Sequence, residues 1–170
     1  MLRPATADDV ARLTDIAFLA KRTWSYPESF FEIWKDELTI TETYIGKHHV
    51  ICEIIDGRLA GFYSIVQSDG EVRIGELRVE NGHFLDHMFI DPPDQGRGIG
   101  SGFFRSIDSF METNDVEIIR IFVDPHARGF YEKMGAAFLC DIPSSIPGRS
   151  IPVYDYRVNA SAADRHAPTD

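Results

Sequence analysis

The chain has 170 residues, 44% hydrophobic and 26% charged, a size and mix that fit one globular domain able to fold without disulfides or a structural metal. Lys and Arg number 17 against 27 Asp and Glu, and the net charge of −10 argues against nucleic acid or an anionic membrane as the main partner. A cationic partner such as an amine suits that balance better. Cys52 and Cys140 are too few for a disulfide scaffold and read as small core residues in a reducing compartment. The segment Met1–Thr6 has no apolar stretch of the secretory kind, and no run approaches the ~20 residues of a membrane span, so the expected location is cytoplasmic.

Thr6, with Asp9 three residues on, has the pattern of a capping box and predicts a helix start. Val10, Leu13, Ile16, Ala17 and Ala20 then recur at helical spacing. Trp24-Ser25-Tyr26-Pro27 interrupts that helix, and Pro27 is expected in the first turn of a second, whose apolar face is Phe30, Phe31, Trp34 and Leu38. From residue 49 the period becomes that of strands. His49–Ile55 and Leu59–Val66 flank the hairpin signal Asp56-Gly57, and Asp69-Gly70 and Asn81-Gly82 mark further turns around Val72–Val79 and His83–Ile90. The expectation is an antiparallel meander of about four strands.

The second half alternates. After Asp91-Pro92-Pro93 comes the turn Gln95-Gly96-Arg97-Gly98-Ile99-Gly100, then a helix from about Ser101 to Thr113 with Phe103, Phe104, Ile107, Phe110 and Met111 on one face. Ile118–Val123 reads as a buried, parallel strand. Asp124-Pro125 reads as an N-cap followed by proline at the first helical position, and Gly135 ends that short helix. Strands are expected from Phe138-Leu139 and over Val153–Val158, and the tail Asn159–Asp170 is expected to be disordered. The sum is one mixed α/β domain over residues 1–158.

The glycine-rich turn carries the sharpest chemical signal. Glycines at 96, 98 and 100, between a strand and a helix, let backbone N–H groups converge on an anion at the positive end of the helix. The third glycine of a dinucleotide fingerprint is missing, as is the lysine of a nucleotide-triphosphate loop, so the turn suits a pyrophosphate outside those two motifs. A plain strand-to-helix turn is the alternative. No Cys/His cluster or HxxxH spacing points to a metal, and no GxSxG elbow points to a covalent intermediate.

Gln95-Gly96-Arg97-Gly98-Ile99-Gly100 resembles the (Gln/Arg)-x-x-Gly-x-(Gly/Ala) signature of the GNAT superfamily of N-acetyltransferases. Asp124 to Ala136 resembles the second signature of the same family, in the same order and about thirty residues on, and the likeness extends over about residues 2–158. The resemblance implies a GNAT-like fold, with a mostly antiparallel N-terminal sheet half, a parallel, splayed strand pair around the cofactor and about four helices. It implies acetyl-CoA as co-substrate, with the pyrophosphate on Gln95, Gly96, Arg97, Gly98, Ile99, Gly100 and Ser101 and the pantetheine arm along Met88, Phe89 and Ile90. Tyr131 falls where the family's tyrosine protonates the leaving thiolate, and a packed helix tyrosine is the other reading. His126 stands where asparagine is usual and is a candidate contact to the cofactor arm.

The general base is open between Asp86, His87 and Glu76, each of which also reads as an ordinary strand residue. Strict alternation puts Leu85, His87 and Phe89 on one face and Asp86, Met88 and Ile90 on the other, so only one of Asp86 and His87 is expected to face the cleft. Trp24, Tyr26, Phe30 and Trp34 are candidates for an aromatic wall of the acceptor site or for core packing, and Arg149 for a substrate carboxylate or a surface ion pair. The function expected is an N-acetyltransferase for a small-molecule amine, as a single chain or a homodimer. The alternatives are a non-catalytic acyl-CoA-binding sensor and a protein lysine or N-terminal acetyltransferase.

Overall fold

In chain order the computed structural model, which describes residues 1–70, 72–74, 77–79 and 82–158, runs β1 (Leu2–Pro4), α1 (Val10–Arg22), α2 (Glu28–Leu38), α3 (Glu42–Lys47), β2 (His49–Ile55), β3 (Arg58–Ser68), β4 (Val72–Ile74), β5 (Leu77–Val79), β6 (Gly82–Ile90), α4 (Ile99–Thr113), β7 (Ile119–Phe122), α5 (Arg128–Lys133), β8 (Ala137–Pro143) and β9 (Ser150–Tyr156). Single 3₁₀ turns lead into α1 and α5 and follow β6. The first is set by Asp9, whose carboxylate accepts the Thr6 N–H at 2.8 Å and the two terminal guanidinium nitrogens of Arg3 at 2.7 and 2.8 Å. The Arg3 hydrogen bonds, opposed by desolvation and aided by Thr6, hold the Asp9 carboxyl down to about 2.

A seven-stranded sheet has the order β1-β2-β3-β6-β7-β9-β8, antiparallel everywhere except between β6 and β7. Both faces are covered, which is why β2, β3 and β7 read as near-continuous apolar runs. On one face α4 lays Phe103, Phe104, Ile107 and Met111 against Tyr63, Ile65, Leu85, Ile119 and Ile121. On the other, α1 and α2 set Leu13, Ile16, Ala17, Phe31, Trp34 and Leu38 against Val50, Cys52 and Phe62. Cys52 is buried and Cys140 half-buried, and both are free thiols. No helix among the described residues is long and apolar enough to cross a membrane.

Three expectations are corrected. Val72–Val79 is not one strand of the meander: β4 and β5 pair with each other as a separate two-stranded ribbon, while β3 pairs directly with β6. Periodicity identifies strands, but only tertiary contact selects their partners. The described residues hold five α-helices, in keeping with the four or so expected; the extra one, α3, is six residues long, too short for a periodic signal, and starts where the Thr41 hydroxyl accepts the Tyr44 N–H at 3.1 Å. Pro27 caps α2 from the residue before it rather than from within its first turn. β1 pairs with β2 where the sequence suggested no strand. The tail beyond residue 158, Glu76 and the turn residue Asn81 lie outside the described residues.

Phe103 is fully buried between α4 and the sheet. We expect Phe103→Ala to reduce unfolding free energy by about 3–5 kcal/mol, measured as a lower urea midpoint with an unchanged slope.

Candidate functional site

β6 and β7 pair over three registers only, from His83 opposite Ile119 to Leu85 opposite Ile121, and then part. β6 continues to Ile90 with β3 on one side and an open edge on the other. The gap forms a cleft of about 850 Å³, lined by residues of β6 from Leu85 to Ile90, by Phe122, Val123 and Asp124 across the gap, and by Tyr131 of α5. Because the Asp91 N–H bonds Ala60 O at 2.8 Å, alternation turns the N–H and C=O groups of Ile90 and Met88 to the open edge. The Ile90 carbonyl there accepts the Gln95 side-chain N–H at 3.3 Å.

The glycine turn closes one end of this edge. Gly96 and Gly98 take φ values of 76° and 82°, in the left-handed region where a side chain is strained. The first bond of α4 runs from Gly102 N–H to Gly98 O at 3.0 Å, so the N–H groups of Ile99, Gly100 and Ser101 have no acceptor within the helix. Gly100 serves packing as well: a Cβ there would stand 2.7 Å from the Phe130 ring. Ile99 turns into the core. Arg97, expected to add charge for a phosphate, bonds Asp94 at 2.6 Å, and Asp94 is also gripped by Arg58 at 2.5 and 2.8 Å. That arginine pair fixes the base of the turn.

Between Ser64 and Ile65 the β3–β6 register slips: Ser64 faces His87 and Ile65 faces Leu85, so Asp86 is an extra residue, a β-bulge. The bulge corrects the strict alternation. Leu85 joins Met88 and Ile90 on the α4 face, His87 and Phe89 lie against Phe62 on the other, and Asp86 and His87 meet instead of pointing apart, with His87 Nε2 3.4 Å from Asp86 Oδ2. Both line the cleft. Burial lowers the His87 imidazole below its ordinary range, partly opposed by Asp86 and Glu37. Tyr131 faces the same cleft from α5, and its phenol is raised well above the ordinary value, first by burial and then by the charge of Asp124.

A second cluster closes the other side. Asp124 caps the turn before α5 through the His126 N–H at 3.1 Å, as the sequence suggested, and also accepts Lys21 Nζ at 2.7 Å, Tyr26 OH at 2.8 Å and Arg149 at 3.3 Å. Despite its burial, these donors, Lys21 foremost, hold the carboxyl below its ordinary value. Arg149 also donates to Tyr26 OH at 2.9 Å and lies over the Tyr26 and Trp34 rings. Trp24, Tyr26, Phe30 and Trp34 do gather, with His126 stacked on Trp24 at 5.0 Å, but the rings pack on each other and on Lys21 and Arg149. The rings are legible in the sequence but the shared carboxylate that joins them is not, because Lys21 and Asp124 are 103 positions apart.

A family model described as an acetyltransferase (GNAT) domain matches residues 29–138. The chain belongs to the GNAT acetyltransferase family. Solved structures share its fold: a GCN5-related N-acetyltransferase from Rhodopseudomonas palustris has a TM-score of 0.73 at 17% identity, covering 93% of this chain and 95% of that one. The paia N-acetyltransferase from Thermoplasma acidophilum, in complex with coenzyme A, has a TM-score of 0.68 at 16% identity over 92% of this chain and 98% of that one. A GNAT family acetyltransferase from Brucella melitensis, in complex with acetyl-CoA, has a TM-score of 0.59 at 17% identity over 94% and 88%. No curated protein sequence matches the chain.

Replacing Asp124 by Ala strips the shared acceptor from Lys21 and Arg149 and leaves two mostly buried cations; we expect a loss of about 3 kcal/mol, read by urea denaturation. A pH dependence follows from the histidines. Burial lowers His87, His49 and His83 in the fold, so below pH ~6.5 the unfolded chain binds protons first. The stability they contribute is complete above that pH and is lost as pH falls, so the Tm is expected to drop between pH 7 and pH 5, and less so in His87→Gln.

Proposed function

We propose that this acetyltransferase moves an acetyl group from acetyl-CoA to the primary amine of a small molecule by direct transfer in a ternary complex, with residues 1–158 as one catalytic domain working in the cytoplasm. The observation that carries this reading is the parting of β6 from β7, which lines up an open backbone edge, the free N–H groups at the start of α4, and Tyr131 along one cleft. The cleft of about 850 Å³ is within the size range of small-molecule sites. The unpaired thiols Cys52 and Cys140 are compatible with a reducing compartment.

The residues fit the donor. Met88 and Ile90 offer backbone groups to an amide-bearing arm in the manner of an added strand, with Phe89 between them, and His126 fronts the same cleft. Gly96 to Ser101 present N–H groups at the positive end of α4 for a pyrophosphate, while the Gln95 N–H is held by Pro92 O at 3.3 Å. Bound acetyl-CoA supplies an activated acyl carbon, at which the amine forms a C–N bond as the C–S bond breaks. The Asp86–His87 pair takes one proton from the acceptor ammonium, so that nitrogen attacks with a free lone pair. The Met88 N–H polarises the carbonyl. Tyr131, kept protonated by burial, donates its proton to the leaving thiolate and regains one from the acylated nitrogen.

Thermal unfolding with acetyl-CoA at 100 times its Kd is expected to reveal about 2.7 kcal/mol of stabilisation, with none from NAD. Tyr131→Phe should lower kcat about a hundredfold while the acetyl-CoA Kd stays within about twofold. An unchanged kcat removes Tyr131 from the reaction, and no stabilisation by acetyl-CoA removes the donor site.

A further inference from the structure

α3 contributes one side chain to the cleft, and it stands at the bulge. The Tyr44 hydroxyl reaches both Ser64 Oγ at 2.7 Å and Asp86 Oδ2. The Ser64 Oγ, buried at the slipped register, accepts the His87 backbone N–H at 3.1 Å. These contacts fix every donor. A carboxylate only accepts, so Tyr44 donates to Asp86. Tyr44 therefore has no proton left for Ser64, and the Ser64 hydroxyl donates to Tyr44. The chain runs in one direction: His87 N–H to Ser64, Ser64 O–H to Tyr44, Tyr44 O–H to Asp86. It begins at the backbone that makes the bulge and ends on the carboxylate that the bulge turns into the cleft.

Without that last bond Asp86 has little to hold it. Its side chain is 42% exposed on an open strand edge, and its other neighbour is His87 Nε2 at 3.4 Å, beyond good hydrogen-bond length. We propose that Tyr44 is a positioning residue that clamps Asp86 beside His87, so that the two act as one proton acceptor for the incoming ammonium. The inference rests on the acetyl-transfer reading above. It gives α3 a reason to exist: the helix buries no residue completely and is anchored by Thr41 at its start and by Tyr44 in the cleft. The Tyr44 ring packs on His48 at 4.6 Å and on His87 at 5.4 Å, so the phenol that bonds Asp86 also lies against the imidazole of the pair.

The charged groups around His87 set the readout. Lys21 of α1 and His48 after α3 act against its protonation; Glu37 of α2 and Asp86 of its own strand favour it. Tyr44→Phe keeps the ring and removes only the hydroxyl. The NMR titration of the His87 ring in the ligand-free protein then measures whether Asp86 stays in place. If Tyr44 is the clamp, Asp86 turns out to solvent and the His87 midpoint falls toward the value found in Asp86→Asn, which marks complete uncoupling. Ser64→Ala, which leaves the Tyr44–Asp86 bond intact, is expected to move it less. In turnover, with acetyl-CoA and a panel of primary amines from benzylamine to putrescine as probes, Tyr44→Phe should lower kcat about tenfold, with the KM for acetyl-CoA within about twofold.

A His87 midpoint equal to or above that of the wild-type protein in Tyr44→Phe overturns the clamp, as does an unchanged kcat. Failure of acetyl-CoA to bind the wild-type chain overturns the acetyl-transfer reading instead, and the NMR arm separates the two results because it uses neither acetyl-CoA nor an amine. A kcat loss shared equally by a Tm drop with no change in the His87 titration would make Tyr44 a packing residue only and would also overturn the proposal.

Discussion

A strand edge buried at the centre of a sheet must satisfy its N–H and C=O groups, and β6 leaves that requirement unmet over its last residues. β7 pairs with it for three registers and departs, and the remaining edge opens into the cleft. The other features of the site follow from this parting. Gln95 takes one of the free carbonyls, the turn of Gly96 and Gly98 redirects the chain into α4, and α5 approaches from beyond β7 to set Tyr131 in the gap. A sheet that stayed paired to its end would have no room there for an amide-bearing ligand.

The parting must be held open from both sides. Below the turn, Asp94 is buried completely and neutralised by Arg58 and Arg97, while Asp91 is bonded by Arg12 from α1. Across the mouth, Asp124 ties α1, the α1–α2 turn and the β8–β9 loop through Lys21, Tyr26 and Arg149. Carboxylates this buried need charged donors, because the Coulomb attraction must offset their desolvation. Each also joins elements far apart in sequence, so the ion pairs fix the relative placement of helices and sheet as well as local turns. The aromatic rings beside and within α2 fill the space among these ions, and Tyr44, Asp86 and His87 line the cleft where β3 and β6 slip.

The bulge at Asp86 converts a strand into a site. One extra residue reverses the sequence of faces, so that an acidic and an imidazole side chain that neighbour each other in sequence also meet in space. At the slipped register the His87 N–H donates to the Ser64 hydroxyl at 3.1 Å. A backbone irregularity is thus satisfied by a hydroxyl, and that hydroxyl orients a phenol.

What the sequence determined by itself was local. Glycines at 96, 98 and 100 between a strand and a helix, Asp124-Pro125 as a cap, Asp56-Gly57 as a hairpin and Gly135 at φ 92° each act through a few neighbouring residues, and these expectations hold in the structure. The two signatures made the family legible, because short motifs keep their order and spacing. The tertiary structure alone decided which strands pair, where the register slips, and which side chains meet across it. Val72–Val79 reads as a strand of the meander, yet β3 passes it over for β6, since burial of both sheet faces favours the longer ladder. Strict alternation separated Asp86 from His87, and a single bulge, invisible to any periodic pattern, joined them. Tyr44 gave no signal, because its partners Ser64 and Asp86 lie 20 and 42 positions away and are reached only once a six-residue helix has docked on the sheet. Local propensity is encoded in neighbouring residues, whereas register and contact are settled by which arrangement of the whole chain buries its apolar faces and leaves no polar group unpaired.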